Sequence, residues 1–192
     1  MVAHGTGARR AGGGAVTQLW TMGHGRLDRE GLSAQLRSVG IESLVDVRRF
    51  PGSRTNPDVS RDALPAWLPG AGVGYRWEER LGGRRRLPDG PSPDPWWKVE
   101  SFRAYAAHTR TEEFEAALAA LLADAASTPT VVLCSESVWW RCHRRLVADV
   151  AVLRHGVDVR HLLPEARTSP HQPAPGARLR DDGRVVWDRD VP

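Results

Sequence analysis

Hydrophobic and polar positions follow two different periods along this chain, and each change of period marks a change of element. Gln18 to Met22 (QLWTM) is a short apolar run closed by Gly23-His24-Gly25, which reads as a strand entering a turn. Leu32, Leu36 and Val39 then recur at helical spacing behind Asp28, a residue suited to cap a helix from Arg29 to Val39 that Gly40 stops. Ser43 to Val47 (SLVDV) reads as a buried strand, and RRFPGSRTNP after it is a loop by its Pro and Gly content. Ser60 caps a short helix with Leu64, Trp67 and Leu68 on one face, and Pro65 sits near its first turns, where proline is tolerated. Val73 to Trp77 is a third strand, and Gly82 to Pro95 (GGRRRLPDGPSPDP) is a loop. Helical pattern resumes near Ser101, and Thr111 opens an amphipathic helix through Phe114, Leu118, Leu121 and Leu122. TVVLCS, after Pro129, is a continuous apolar run of the kind found in central parallel strands. Arg141 to His155 reads as a helix closed by Gly156, and Val157 to Leu163 as a last strand.

Strands that alternate with helices pack as a mostly parallel sheet covered on both faces. The expected fold is therefore a single α/β domain with Rossmann-like layers over 17–163. Residues 1–16 are Gly-rich and aperiodic, which predicts disorder. Residues 164–192 read as a Pro-rich linker and tail, with a small hairpin where DDG separates two β-prone runs. In such folds ligands bind beyond the C-terminal strand ends. Three strands here end in polar sequence: TMGHG, DVRRFPGSR and LCSE.

Composition narrows the setting. No run approaches the 18 or more apolar residues of a membrane helix, and MVAHGTGARRAGGGAVTQ lacks a signal peptide's apolar core. Two cysteines in 192 residues are no secreted disulfide framework. The expectation is a soluble, reduced, cytoplasmic protein without membrane contact. Its net charge of +4 and pI of about 9.8 suit anionic partners. The 26 arginines stand against a single Lys98. Arginine makes bidentate contacts to phosphate and carboxylate, although codon bias accounts for such an excess equally well.

The candidate chemistry concentrates at the strand ends. Cys134 falls at the end of a strand, and Cys142 at a predicted helix start beside Arg141, His143 and Arg144, a setting that favours a thiolate. The plain alternative is that both are small buried apolar residues. Cys134 and Arg141 are separated by six residues, one more than a thiol phosphatase loop requires, and there is no C-x-x-C. Cys134, Cys142, His143 and His24 match no zinc-site spacing, so neither a metal nor a cofactor is expected. Glu136 suits a general base or an ion pair, His24 lies between two glycines that allow close approach of a ligand, and Asp46 is a carboxylate inside an apolar strand. Arg48, Ser53 and Arg54 surround a Pro-Gly turn and suit an anion. Arg84-Arg85-Arg86 with Trp96-Trp97 pairs basic with aromatic residues, as single-stranded nucleic-acid binders do.

Five motifs in order, TMGHG, LVDVRRFPGSR, GYRWEERLGGRRR, FRAYAAHTRTEEFEAAL and VVLCSESVWWRCHRRLVADVAVLRHGVDVRHLL, resemble the bacterial and archaeal family called domain of unknown function 488. The resemblance runs from about Gln18 to Leu163. It carries onto Thr21, Gly23 and His24, then Asp46, Arg48, Pro51, Ser53 and Arg54, then Tyr75, Leu81, Gly82 and Gly83, and finally Cys134, Glu136, Cys142, His143 and Arg144. Gly25 departs from it, since the family more often has Ser there. The resemblance implies a compact α/β domain and brings no activity.

Two functions follow. In the first, a pocket at the strand rim binds a phosphate-bearing small molecule. Arg48, Arg54 and Arg144 hold the anion, with Ser53, Cys134 and His143 beside them. His24, Asp46 and Glu136 transfer protons, and Cys142 is the nucleophile. In the second, the chain is a nucleic-acid-binding module without catalysis.

Overall fold

A computed structural model of the chain describes residues 16–52 and 56–189. The N-terminal segment expected to be disordered lies, up to residue 15, outside the described residues, as do Ser53 and Arg54. The elements run β1 (Gln18–Gly23), α1 (Arg29–Ser38), β2 (Ser43–Asp46), α2 (Ala63–Trp67), β3 (Gly74–Trp77), α3 (Glu100–His108), α4 (Glu112–Ser127), β4 (Thr130–Cys134), α5 (Arg144–His155), β5 (Asp158–Leu162), β6 (Thr168–Pro170), β7 (Ala177–Leu179) and β8 (Val185–Trp187). The caps act as side-chain acceptors: Asp28 accepts from the Gly31 N–H at 2.8 Å, and Thr111 from that of Phe114 at 3.2 Å. Among the described residues no helix is long and apolar enough to cross a membrane.

Six strands form one sheet in the order β3-β2-β4-β1-β5-β6. The first five are parallel, and β6 closes one edge antiparallel to β5. The expected α/β class holds. Strand alternation sorts the core into two layers. Val131 and Leu133 of β4 pack with Leu32, Leu36, Leu64 and Trp67 of α1 and α2. Val132 and Cys134 point the other way, toward Tyr105, Phe114, Leu118 and Leu146 of α3, α4 and α5. A strand buried on both faces needs no polar alternation, which is why TVVLC reads as one apolar run. Each of these fully buried side chains contributes about 1.5–3 kcal/mol.

Two elements differ from the sequence pattern. Helix α5 begins at Arg144, not Arg141. Trp139–Arg141 is a separate 3-10 turn, and Cys142 behind it is extended (φ −117°, ψ 147°). Cys142 therefore lies ahead of the helix, and its carbonyl accepts the Arg145 N–H at 3.0 Å. The Pro-rich segment after β5 carries β6, three residues held by backbone pairing with no alternation to announce them. The hairpin of β7 and β8 forms as expected, turning at Gly183 with φ of +76°.

Parallel pairing brings the carboxyl ends of the central strands level. Gly23 of β1 is in register with Cys134 of β4, and Asp46 of β2 with Leu133.

Candidate functional site

The expected site residues gather into two groups on opposite faces of the sheet. Asp46 follows Leu44 by two residues and so faces the α1–α2 layer. Its carboxylate accepts from Arg48 Nε at 2.8 Å, Arg48 Nη2 at 2.6 Å, the Arg48 backbone N–H at 3.0 Å and the Tyr75 hydroxyl at 3.2 Å. Arg48 Nη2 also donates to the Val59 carbonyl at 2.7 Å, and Nη1 to His24 Nε2 at 3.2 Å. His24 Nδ1 then carries the proton and donates to the Gly25 carbonyl at 3.1 Å. Burial, reinforced by the Arg48 charge, lowers the His24 pKa to about 4, so the ring is neutral. Both ring nitrogens of His24 and every side-chain nitrogen of Arg48 have an internal partner. The cluster braces the β2 end, and Asp46 is completely buried within it.

The second group, Cys134, Cys142 and His143, faces the α3–α5 layer. One ligating atom from each lies within 4.8 Å of the others, and Cys142 Sγ is 3.7 Å from His143 Nδ1. Both cysteines are free and buried. Burial raises the Cys142 thiol, but the Cys134 S–H and the charge and N–H groups of Arg144 outweigh it and bring its pKa down to about 7. Cys134 moves the opposite way, to about 12, because it donates to Cys142 and is itself buried. The His143 ring leans on Tyr105 at 4.9 Å, and Gly83 lies so close that a Cβ there would stand 2.9 Å from His143 Nδ1.

Arg144 is 1% exposed. Its Nη1 and Nη2 donate to the carbonyls of Glu136 and Ser137, which fixes the loop leaving β4. Gly23 is required against the same loop: a Cβ there would lie 1.9 Å from the Glu136 carbonyl oxygen. Behind the loop runs a buried polar chain. The Asp149 carboxylate can only accept, so His171 Nε2 donates to it at 2.7 Å. His171 Nδ1 therefore accepts from His161 Nε2 at 3.0 Å. Thr21 Oγ1 donates to His161 Nδ1 at 2.7 Å. Trp187 Nε1 and the Ala174 N–H complete the Asp149 shell at 2.7 and 3.1 Å. Trp139 stacks on His161, 4.1 Å away and 10° off parallel, which anchors the turn before Cys142.

The thiols form the floor of a cleft of about 500 Å³ between the β4 loop and α3, lined also by Arg84, Val99, Phe102, Glu136, Trp140 and Arg141. An adjoining recess of about 190 Å³ shares Gly83, Arg84, Cys134, Ser135 and His143 with it and adds Arg48, Arg49 and Phe50. Phe50, Val99 and Trp140 are exposed despite being apolar. Among the described residues Arg49, Arg84 and Arg141 pair with no carboxylate, and Arg84 rests over the Phe50 ring at 5.6 Å. Among the described residues the Glu136 carboxylate, which lines the cleft, accepts only from the Val138 N–H, at 3.3 Å. Of the expected residues, Cys134, Glu136, Cys142 and His143 thus share one cleft, with Arg48 at its edge. His24 and Asp46 stand apart. Arg144 acts from behind. The exposed aromatic rim and its unpaired arginines carry no signal in sequence, because nothing there separates an outward arginine from a braced one.

Trp96 and Trp97 are not available for stacking on a base. Trp97 is 5% exposed and packs on Trp96, Phe102 and Trp187, with Arg145 over both indoles. Arg85 is likewise turned inward onto the carbonyls of Glu79, Arg80 and Gly82.

Fold and cleft together define an α/β domain with a thiol pair at the carboxyl end of its central strands. The chain belongs to the family described as domain of unknown function DUF488, whose model matches residues 29–151, from α1 into α5. Comparison with curated proteins and with solved structures gives no match.

Proposed function

We propose that this chain is a thiol-dependent enzyme of a reducing compartment such as the cytoplasm, acting on a phosphate-bearing small molecule bound in the cleft. The observation that carries the reading is the opening of a cleft with unpaired arginines directly onto a buried cysteine pair. Arg84 and Arg141, with Arg49 in the recess, hold the anion in place of the braced Arg48 and Arg144. Phe50, Val99 and Trp140 cover the apolar part of the ligand. The Cys142–His143 corner supplies the reacting group, and Glu136 is the carboxylate placed to move a proton. Desolvated contacts to an anion are stronger than exposed ones, at about 1.5–3 kcal/mol each.

Titration calorimetry with inorganic phosphate and nucleoside monophosphates, against the matching nucleosides, tests the reading. Phosphate-dependent binding weakened at least about tenfold in Arg84→Ala and Arg141→Ala is the expected result, from the loss of one such contact. Equal binding of phosphorylated and unphosphorylated compounds, or none of either, overturns it. A second reading, a nucleic-acid-binding module without catalysis, rests on exposed Trp140 and Phe50 beside those arginines. Affinity for single-stranded oligonucleotides that collapses with rising salt would favour it.

A further inference from the structure

We infer that Cys134, Cys142 and His143 are ligands of a zinc(II) ion whose fourth position opens on the cleft. The inference rests on the reading that this corner is the chemical group of the cleft, and it turns Cys142 from a nucleophile into a ligand.

The donor set carries it. Two sulfurs and one imidazole nitrogen converge within 4.8 Å, although the seven residues between the cysteines match no familiar zinc spacing. Tetrahedral zinc, with bonds of about 2.3 Å to sulfur and about 2.0–2.1 Å to nitrogen, sets its S and N ligands roughly 3.6 Å apart. Cys142 Sγ and His143 Nδ1 are 3.7 Å apart. Thiolate and imidazole donors in a tetrahedral arrangement select zinc over magnesium or calcium. Three protein ligands are the count of a reactive zinc site, and four that of a purely structural one.

The surroundings are arranged for it as well. His143 is oriented by Tyr105 and by the missing side chain of Gly83, not by a hydrogen bond elsewhere. Its Nε2 is buried without a partner among the described residues. Among the described residues, the hydrogen-bonding group recorded at Nδ1 is Cys142 Sγ, at 3.7 Å. On binding, zinc displaces the remaining thiol protons to solvent, and two thiolates with a neutral imidazole leave the centre uncharged. No oxidant or reductant is involved.

The test uses the full chain, stripped with a chelator and titrated with cobalt(II) alone. One cobalt per chain, with a thiolate-to-cobalt charge-transfer band in the near ultraviolet and the intense visible bands of a tetrahedral ion, is expected. Zinc should displace it. Cys134→Ser and Cys142→Ser should each remove part of the near-ultraviolet band. Gly83→Ala, which pushes the ring aside without removing a donor, should weaken binding about 10–100-fold. Circular dichroism checks that each variant is folded. A pale octahedral spectrum, or a band unchanged in both cysteine variants, overturns the inference. Phosphate binding is measured on the metal-free chain in parallel. Phosphate binding without the cobalt band sinks the metal centre alone, and the band without phosphate binding sinks the substrate reading alone.

Discussion

Asp46→Asn separates bracing from chemistry at the β2 end. The substitution keeps the shape of the side chain and removes its charge. It also places an amide NH2 against donors of Arg48, which now lie 2.6 and 2.8 Å from the carboxylate oxygens. Arg48 is 4% exposed, so its guanidinium would be left charged, buried and short of acceptors. Breaking a buried pair from one side costs about 3–5 kcal/mol. A domain of this size holds about 5–15 kcal/mol in total, so the loss is a large part of it. With a urea m-value near the top of the usual range of about 1–3 kcal/mol/M, the unfolding midpoint should fall by about 1–2 M. Tryptophan fluorescence across a urea series reads this directly. Asp46→Leu combined with Arg48→Met removes both charges and should recover much of the loss, because an apolar pair of similar volume is often no worse than an ion pair. An Asp46→Asn protein as stable as its parent, yet unable to bind phosphate, would refute the bracing role and return Asp46 to the reaction.

Two further outcomes follow from the same geometry. His24 and His161 are held neutral, with pKa values lowered to about 4 and about 3, chiefly by burial. Unfolding lets both take a proton below their ordinary 6.5, so stability is full above that pH. It is lost by up to about 1.4 kcal/mol per pH unit for each ring as pH falls from 6.5 toward 4. Melting curves at pH 7.5, 6 and 5 should show the decline before carboxylates contribute, and a flat profile would rule it out. Gly23→Ala should cost about 1–3 kcal/mol, because the new Cβ meets the backbone of Glu136 and Ser137. Gly52→Ala, with nothing within 4 Å among the described residues, should be neutral in the same thermal melt.

The periodicity of the chain reveals most of the parallel layer, since β1, α1, β2, α4 and β4 are buried in the patterns their sequences display. Asp28 and Thr111 are legible as caps because a side-chain oxygen in that position does one job. The start of α5 is not legible: Trp139 and Cys142 continue an apolar spacing even though the backbone between them turns tightly and then extends. The strand-end rule points to the rim where Cys134, Glu136, Cys142 and His143 line one cleft. It does not say which arginines face out. Arg48 and Arg84 look alike in sequence, but one has a carboxylate two residues before it on the same side of the strand and the other has an exposed phenyl ring. The Asp149 chain stays hidden because Thr21, His161, His171 and Trp187 are neighbours only after the sheet has formed.

That chain has a consequence for how the protein is made. Asp149 sits in the middle of α5, fully buried, and its partners His171, the Ala174 amide and Trp187 are all synthesised after it. A nascent chain that has completed β5 still carries an unmatched carboxylate where the α3–α5 layer must close, along with the gap that Trp187 later fills. Closure of the layer that backs the thiol corner therefore waits for the β7–β8 hairpin to leave the ribosome. Chains stalled before residue 187 should be cut by protease within α5, while released chains resist. Residues made well after the two cysteines thus act as the latch on a cleft encoded far upstream.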